Sequence, residues 1–282
     1  MPISFPITFT KMSGTGNDFI LIDHRQRFLE GIDCSRFAKA VCRRNFSVGA
    51  DGLILIEPSS VADFSWQFFN ADGSVAEMCG NGARCAARFA FRRGIAGKTM
   101  RFETQAGIIE AFMEGSAVKI GLTSPQDLRL DLSLDIDSAD RILHFINTGV
   151  PHVVHFVEDN SRTPVTKWGR YIRMHKMFQP AGTNANFVEV TGENALSVRT
   201  YERGVEDETM ACGTGATAAA VIAALLGKVK APVSVTTSGG EKLIIHFDLT
   251  GNYGIANLFL EGPAGLIYDG ELQADALGDL LK

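Results

Sequence analysis

Two cysteines open closely similar strings, Cys79-Gly80-Asn81-Gly82-Ala83 and Cys212-Gly213-Thr214-Gly215-Ala216, nearly half of the 282-residue chain apart. In each, a Gly-x-Gly turn runs straight into helix-forming residues, which predicts a thiol at a helix N-terminus. Unpaired backbone N–H groups and the positive end of the helix dipole stabilise a thiolate there, lowering the thiol pKa from about 8.5. The same N–H groups can hold a carboxylate, because glycine lets the backbone approach closely. The chemistry this suggests is inversion at the α-carbon of an amino acid. One thiolate removes the proton from one face and a thiol returns one to the other, while the helix ends stabilise the charge that moves into the carboxylate. Neither a metal nor a cofactor is required.

Other polar residues sit at expected strand ends, where loops commonly carry function. Asn17, Asn70 and Asn184 offer neutral amides, and Arg203 a rigid fork for a carboxylate. His152, after Pro151, is expected on a rigid turn, where it would orient a thiol or a carboxylate. Each has a plainer duty open to it: Glu202 and Arg203 can pair with one another, the asparagines can cap turns, and His152 can bond to backbone. Cys34, Cys42 and Cys85 read as small buried hydrophobes. Cys85 follows Cys79 by six residues and is expected on another side of its helix.

The elements that must position these groups follow from periodicity. Short alternating or β-branched runs at residues 7–9, 19–23, 53–57, 64–69, 100–104, 108–113 and 118–122 predict strands. Residues 34–44 carry the one-sided apolar stripe of a helix, and an Ala-rich helix follows Cys79. A polar passage over residues 124–140 interrupts the pattern. Strands are then expected near 143–146, 153–157, 187–190, 197–201, 233–237, 243–247 and 258–260. The helix of this half, residues 215–226, is apolar nearly all round, which predicts burial on every side, as inside a curved sheet. The duplicated strings, and a weaker echo of Gly14-Thr15-Gly16-Asn17-Asp18-Phe19 in Gly182-Thr183-Asn184-Ala185-Asn186-Phe187, predict two similar lobes. Their boundary is expected at residues 122–125, where Thr-Ser-Pro breaks the strand pattern. The lobes are then residues 1–122, carrying Cys79 and rejoined by residues 266–282, and residues 123–265, carrying Cys212.

A net charge of −5 argues against nucleic acid or an anionic membrane as partner, since both call for clustered Lys and Arg. A small-molecule substrate is expected. The start of the chain lacks a basic segment followed by an apolar run, and no apolar stretch is long enough to cross a bilayer. Five cysteines without secreted-domain spacing point to a reducing, cytoplasmic setting.

Five segments together resemble one known family, diaminopimelate epimerase. They are residues 12–19, 70–74, 79–85, 201–204 and 211–216, in register across nearly the whole chain. The resemblance implies a cofactor-independent, two-cysteine enzyme that interconverts LL- and meso-2,6-diaminopimelate in lysine and peptidoglycan synthesis. It implies an α/β (α+β) fold of two pseudo-symmetric lobes, each a mixed, barrel-like β-sheet around a central helix, and a homodimer. By position, Cys79 and Cys212 match the acid/base pair, and Gly80-Asn81 with Gly213-Thr214 match the groups that hold the reacting carboxylate. Asn17, Asn70, Asn184, Glu202 and Arg203 match substrate contacts, and His152 and Glu202 match positions that assist the chemistry. Two positions depart from the pattern: Val150 stands where many members have Asn, and Gly52 where some have Gln. Asn147 is a candidate to compensate.

Other readings fit the residues less well. A proline or hydroxyproline racemase shares the chemistry but matches the motifs less well, and phenazine-type isomerases are disfavoured because both cysteines are present. A thiol-based metal or redox module built from Cys79, Cys85 and Cys212 lacks the close ligand spacing that zinc sites show.

Overall fold

In the computed structural model, which describes residues 4–251 and 253–281, the first hairpin is set by a two-residue turn. Thr15 and Gly16 both have positive φ, 49° and 90°, the mirror-image turn whose twist matches that of paired strands. It joins β1 (Ile7–Gly14) to β2 (Asn17–Asp23), with Gly14 opposite Asn17. After α1 (Cys34–Val41), β3 (Gly52–Glu57) lies parallel to β2, and β4 (Phe64–Asn70) is antiparallel to β3. Following α2 (Gly80–Arg92), β5 (Thr99–Thr104) pairs parallel to β4, and β6 (Gly107–Glu114) and β7 (Ala117–Gly121) continue antiparallel. Residues 1–3, 252 and 282, at the start, within and at the end of the expected lobes, lie outside the described residues.

The second half repeats this order. β8 (Gln126–Ile136) and β9 (Ala139–Asn147) form a hairpin, and β10 (Pro151–Phe156) is antiparallel to β9. Beyond α3 (Val165–Met174), β11 (Asn184–Gly192) is parallel to β10, and β12 (Ala195–Glu202) is antiparallel to β11. A short β13 (Asp207–Thr209) and then α4 (Gly213–Leu225) lead to β14 (Val233–Thr237), parallel to β12. β15 (Lys242–Thr250) and β16 (Gly254–Pro263) close the run antiparallel. The alternation of antiparallel and parallel pairings from β1 to β7 therefore recurs from β9 to β16. β17 (Gly265–Leu272) pairs with β1, placing Leu272 opposite Ile7. Two compact units result, Met1–Ile120 with Gly262–Lys282, and Gly121–Glu261.

Helices pack on both sides of each sheet. α1 lays Phe37, Ala38 and Val41 against Ile20, Ile22, Leu53 and Leu55, and α3 sets Val165 and Ile172 against Leu143, Phe145, Phe187 and Tyr201. α4 is buried from Gly215 through Ala224 and touches β9, β10, β11, β12, β14 and β15. That sheet wraps its helix, as an all-round apolar sequence requires. α2, buried from Asn81 through Ala87, packs on β1, β2, β3 and β6.

Three expectations are corrected. Within the polar passage over residues 124–140 lies β8, where Leu128, Leu130, Leu132, Leu134 and Ile136 alternate with polar residues at strand period, a signal masked by the charged residues between them. α3 was not expected, although Val165, Trp168 and Ile172 have helical spacing. The echo between residues 14–19 and 182–187 is not a structural equivalence: the first forms the β1–β2 turn, whereas the second enters β11, the counterpart of β3.

Candidate active site

Cys79 is the N-cap of α2, with extended φ and ψ of −146° and 119°, and its Sγ accepts from the Gly82 N–H at 3.4 Å. Glycine at positions 80 and 82 adds no side-chain bulk to the first turn of backbone N–H groups, of which the Gly82 N–H faces the sulfur. Beside it lies a polar layer around Arg84, whose side chain is wholly buried. Arg84 Nη2 donates to Thr15 Oγ1 (2.7 Å) and Asn81 Oδ1 (2.8 Å), and Nη1 to the Gly80 carbonyl (3.2 Å). Thr15 Oγ1 donates to Asn81 Oδ1, and Asn81 Nδ2 to Asn17 Oδ1 at 2.7 Å. The guanidinium thus holds Asn81, and through it Asn17, by charge-assisted bonds in a dry setting. Asn17 in turn donates to Asp51 at 3.1 Å. Asn70 is not part of this layer; at the exposed end of β4 it donates to Ser74 Oγ at 2.9 Å.

Gly52 pairs with Asn70 across β3 and β4. A Cβ there would lie 2.6 Å from Phe68 Cε2 and 2.8 Å from the Phe69 carbonyl oxygen. The space that a glutamine would enter is filled by Phe68.

Cys212 is the N-cap of α4 but makes no side-chain cap. Its Sγ lies 3.5 Å from Thr214 Oγ1. The same hydroxyl is 2.9 Å from His152 Nε2, and Thr148 Oγ1 donates to the Thr214 carbonyl at 2.9 Å. His152 is the second residue of β10 and wholly buried, not on a turn as expected from Pro151, because the chain enters the strand at the proline. Burial above all, and then the nearby Arg203 charge, push its pKa down to about 3. The imidazole is therefore neutral at physiological pH.

Asn184 and Arg203 are joined: the Arg203 backbone N–H donates to Asn184 Oδ1 at 2.7 Å, and the guanidinium to the Ala181 carbonyl at 2.6 Å. Glu202 accepts from Thr209 Oγ1 at 2.9 Å instead of pairing with Arg203, and burial raises its pKa. Asn147 Oδ1 accepts from the Gly149 N–H at 3.0 Å within its own turn. Burial pushes the Cys42 and Cys85 thiols up to about 12 and raises Cys34 as well, as fits structural cysteines. Among the described residues no group of three or more His, Cys, Asp or Glu is placed to hold a metal ion.

The residues missed in the sequence are Thr15, Arg84, Asn186 and Thr200. Arg84 and Asn186 had a legible signal: each is a polar residue within an otherwise apolar buried element, and such a residue requires partners.

A mixed α/β chain of two topologically matching units, each with a cysteine at the N-cap position of the helix its sheet packs on, has the fold of a known structural class. The chain resembles the crystal structure of a phenazine biosynthesis protein from Bacillus anthracis, with a TM-score of 0.74 at 16% identity, over 96% of this chain and 100% of that one. It also resembles a hydroxyproline epimerase from Agrobacterium vitis, with a TM-score of 0.67 at 15% identity, over 98% and 94%. At such identities the likeness is one of fold. The family model described as diaminopimelate epimerase matches residues 9–126 and 144–265. A diaminopimelate epimerase of Aquifex aeolicus is 49% identical over 280 residues, covering 95% of this chain and 99% of that one. Another, of Archaeoglobus fulgidus, is 41% identical over 284 residues, covering 96% and 98%. The chain belongs to the diaminopimelate epimerase family.

Proposed function

We propose that the chain interconverts LL- and meso-2,6-diaminopimelate by proton transfer at one α-carbon, with Cys79 and Cys212 as the acid/base pair, as a step in lysine and peptidoglycan synthesis. The observation that carries this reading is the placement of both cysteines as N-caps of matching helices, in a chain of this family. In the forward step one thiolate takes the α-proton and becomes a thiol, and the electron pair left on carbon delocalises into the carboxylate. The other cysteine, a thiol at the outset, donates its proton to the opposite face and is left as a thiolate. Each turnover thus leaves the two sulfurs with their protonation states exchanged, in the form that accepts the other stereoisomer.

Backbone N–H groups at Gly80-Asn81 and Gly213-Thr214 hold the carboxylate where negative charge develops, the condition under which fixed dipoles accelerate reaction most. Asn17, Asn70, Asn184, Glu202 and Arg203 bind the rest of the substrate. Glu202, its carboxyl raised by burial, also exchanges protons near the site. His152, neutral, assists through hydrogen bonds and not through charge. The sequence lobes, residues 1–122 with 266–282 and residues 123–265, each supply one cysteine. We further propose that the enzyme works in the cytoplasm as a homodimer, in keeping with the family resemblance and the unstapled cysteine pattern; light scattering of the purified chain tests the dimer.

Incubation in deuterated water is the direct test of the reaction. Deuterium should enter the α-position of LL-diaminopimelate and not of proline. Exchange on proline alone, or none on either amino acid, would overturn the assignment.

A further inference from the structure

The side chain of Asn186, in β11, fixes the state of His152. Its amide is 1% exposed, and its orientation follows from its neighbours. Nδ2 lies 2.8 Å from the Val153 carbonyl, which can only accept, and Oδ1 accepts from Thr200 Oγ1 at 2.9 Å. A flipped amide would set oxygen against oxygen at the Val153 carbonyl. Nδ2 is also 3.1 Å from His152 Nδ1, so Nδ1 must be the acceptor. In a neutral imidazole the proton then sits on Nε2.

The consequence runs outward. With a proton on Nε2, the 2.9 Å contact to Thr214 Oγ1 is a donation by the histidine. The 3.5 Å approach of Asn184 Nδ2 to the same nitrogen sets donor against donor and is no hydrogen bond. Thr214 Oγ1, which accepts from the ring, still has its one hydrogen to give, and Cys212 Sγ lies 3.5 Å away.

We propose that Asn186, pinned by Thr200, is a positioning residue that holds His152 as the Nε2–H tautomer and so directs a one-way chain of donors, His152 to Thr214 to Cys212, onto the sulfur. The inference rests on the reading of Cys212 as a proton-transfer group. No proton need travel along the chain; its direction makes the sulfur the acceptor and favours the thiolate that abstracts the α-proton. Gly215 belongs to the same arrangement, because a Cβ there would meet Asn186 Oδ1 at 2.3 Å. The second glycine of the Cys212 string is therefore tied to the presence of Asn186.

Nitrogen-15 NMR of histidine-labelled protein tests this, with the His152 signals assigned by their loss in His152→Gln. The wild-type ring should show a protonated Nε2 and a bare Nδ1; the reverse would overturn the proposal. Asn186→Asp presents an acceptor to Nδ1 and should invert the tautomer. It should lower kcat and kcat/KM together by about 10²-fold, since the lost interaction matters in the transition state. An inverted ring with unchanged kcat would overturn the proposal. Should that variant fail to fold, Thr200→Val, which unpins the amide, should lower kcat several-fold and Thr200→Ser restore it; equal rates in both would count against the chain. Absence of α-proton exchange in the wild-type protein would sink the assigned reaction, while the ring spectrum would still test the tautomer, so the two failures are read separately.

Discussion

A Cβ added at Gly82 would meet Ile54 Cδ1 at 3.2 Å and Trp66 at 3.6 Å, whereas one added at Gly215 would meet the Asn186 amide oxygen at 2.3 Å and the Thr200 hydroxyl at 3.2 Å. The two cysteine strings are alike, but what stands behind them is not. Pairing register shows why. Phe19 and Gly52 open the parallel β2–β3 pair, as His152 and Asn184 open β10–β11. Two residues further on, Ile54 in β3 occupies the place of Asn186 in β11. The first unit fills this layer with apolar side chains, including the edge-to-face pair of Phe19 and Phe68, and relies on buried Arg84 at the flank. The second fills it with a neutral chain of amide, imidazole and hydroxyl. The sulfurs accordingly meet different neighbours, a donating backbone N–H at Cys79 and a side-chain hydroxyl at Cys212. One string on one topology thus yields two thiol environments, which suits the proposed pair, whose members would take opposite roles in each direction of turnover.

The harshest test of the comparison is the cysteines themselves. Cys79→Ala and Cys212→Ala should each lower the rate of interconversion by at least about 10²- to 10⁴-fold, the usual worth of a positioned acid or base. Cys85→Ala, which removes a buried thiol, should leave turnover per folded molecule near that of the wild type. Retained activity in both of the first two variants would remove the two-base reading. Next is Arg84→Met, which removes the buried guanidinium's bonds to Thr15, Asn81 and the Gly80 carbonyl in the first unit. Hydrogen bonds to a charged group are worth about 1.5–3 kcal/mol each, so the urea midpoint should fall by the equivalent of about 3 kcal/mol at constant m. A loss below about 1 kcal/mol would mean that the first unit does not lean on this residue.

The glycines give a finer contrast. Gly215→Ala forces the Asn186 amide aside and should destabilise by about 1–3 kcal/mol, as overpacking does. Gly82→Ala needs only a small shift of Ile54 and should cost less. Equal midpoints in denaturant would erase the difference drawn between the two layers.

The last test is one of pH. His152 binds its proton only near pH 3 in the folded chain but near 6.5 when unfolded. Between those values the unfolded state holds more protons, so stability falls as pH falls through the window, by up to about 1.4 kcal/mol per unit. The wild type should lose stability below pH 6 more steeply than His152→Gln in parallel urea titrations. Parallel slopes would show that the ring is not kept neutral by the fold.

Much of this was legible in the chain. The repeated Cys-Gly-x-Gly-Ala strings mark both helix caps because a cap and its glycines are local in sequence, and the all-round apolar run after Cys212 announces a wrapped helix because a buried helix has no polar face. Beyond those, identity of letters is not identity of place. Gly14-Thr15-Gly16 and Gly182-Thr183-Asn184 look alike, yet one is a hairpin turn and the other a strand entry, a distinction made by pairing register. His152 beside a proline read as a turn residue because the pairing that buries it comes from β9 and β11, distant in the chain.

Residue types and spacing by themselves determined the family, the doubled architecture and the two sulfurs on helix ends. Tertiary structure alone decided what each sulfur faces and which ring nitrogen of His152 carries the proton. The physical reason is that a hydrogen bond's direction depends on the full set of neighbours around its donor and acceptor. At His152 those neighbours, Asn186, Val153, Thr200 and Thr214, arrive from three strands and a helix end that only the fold brings together.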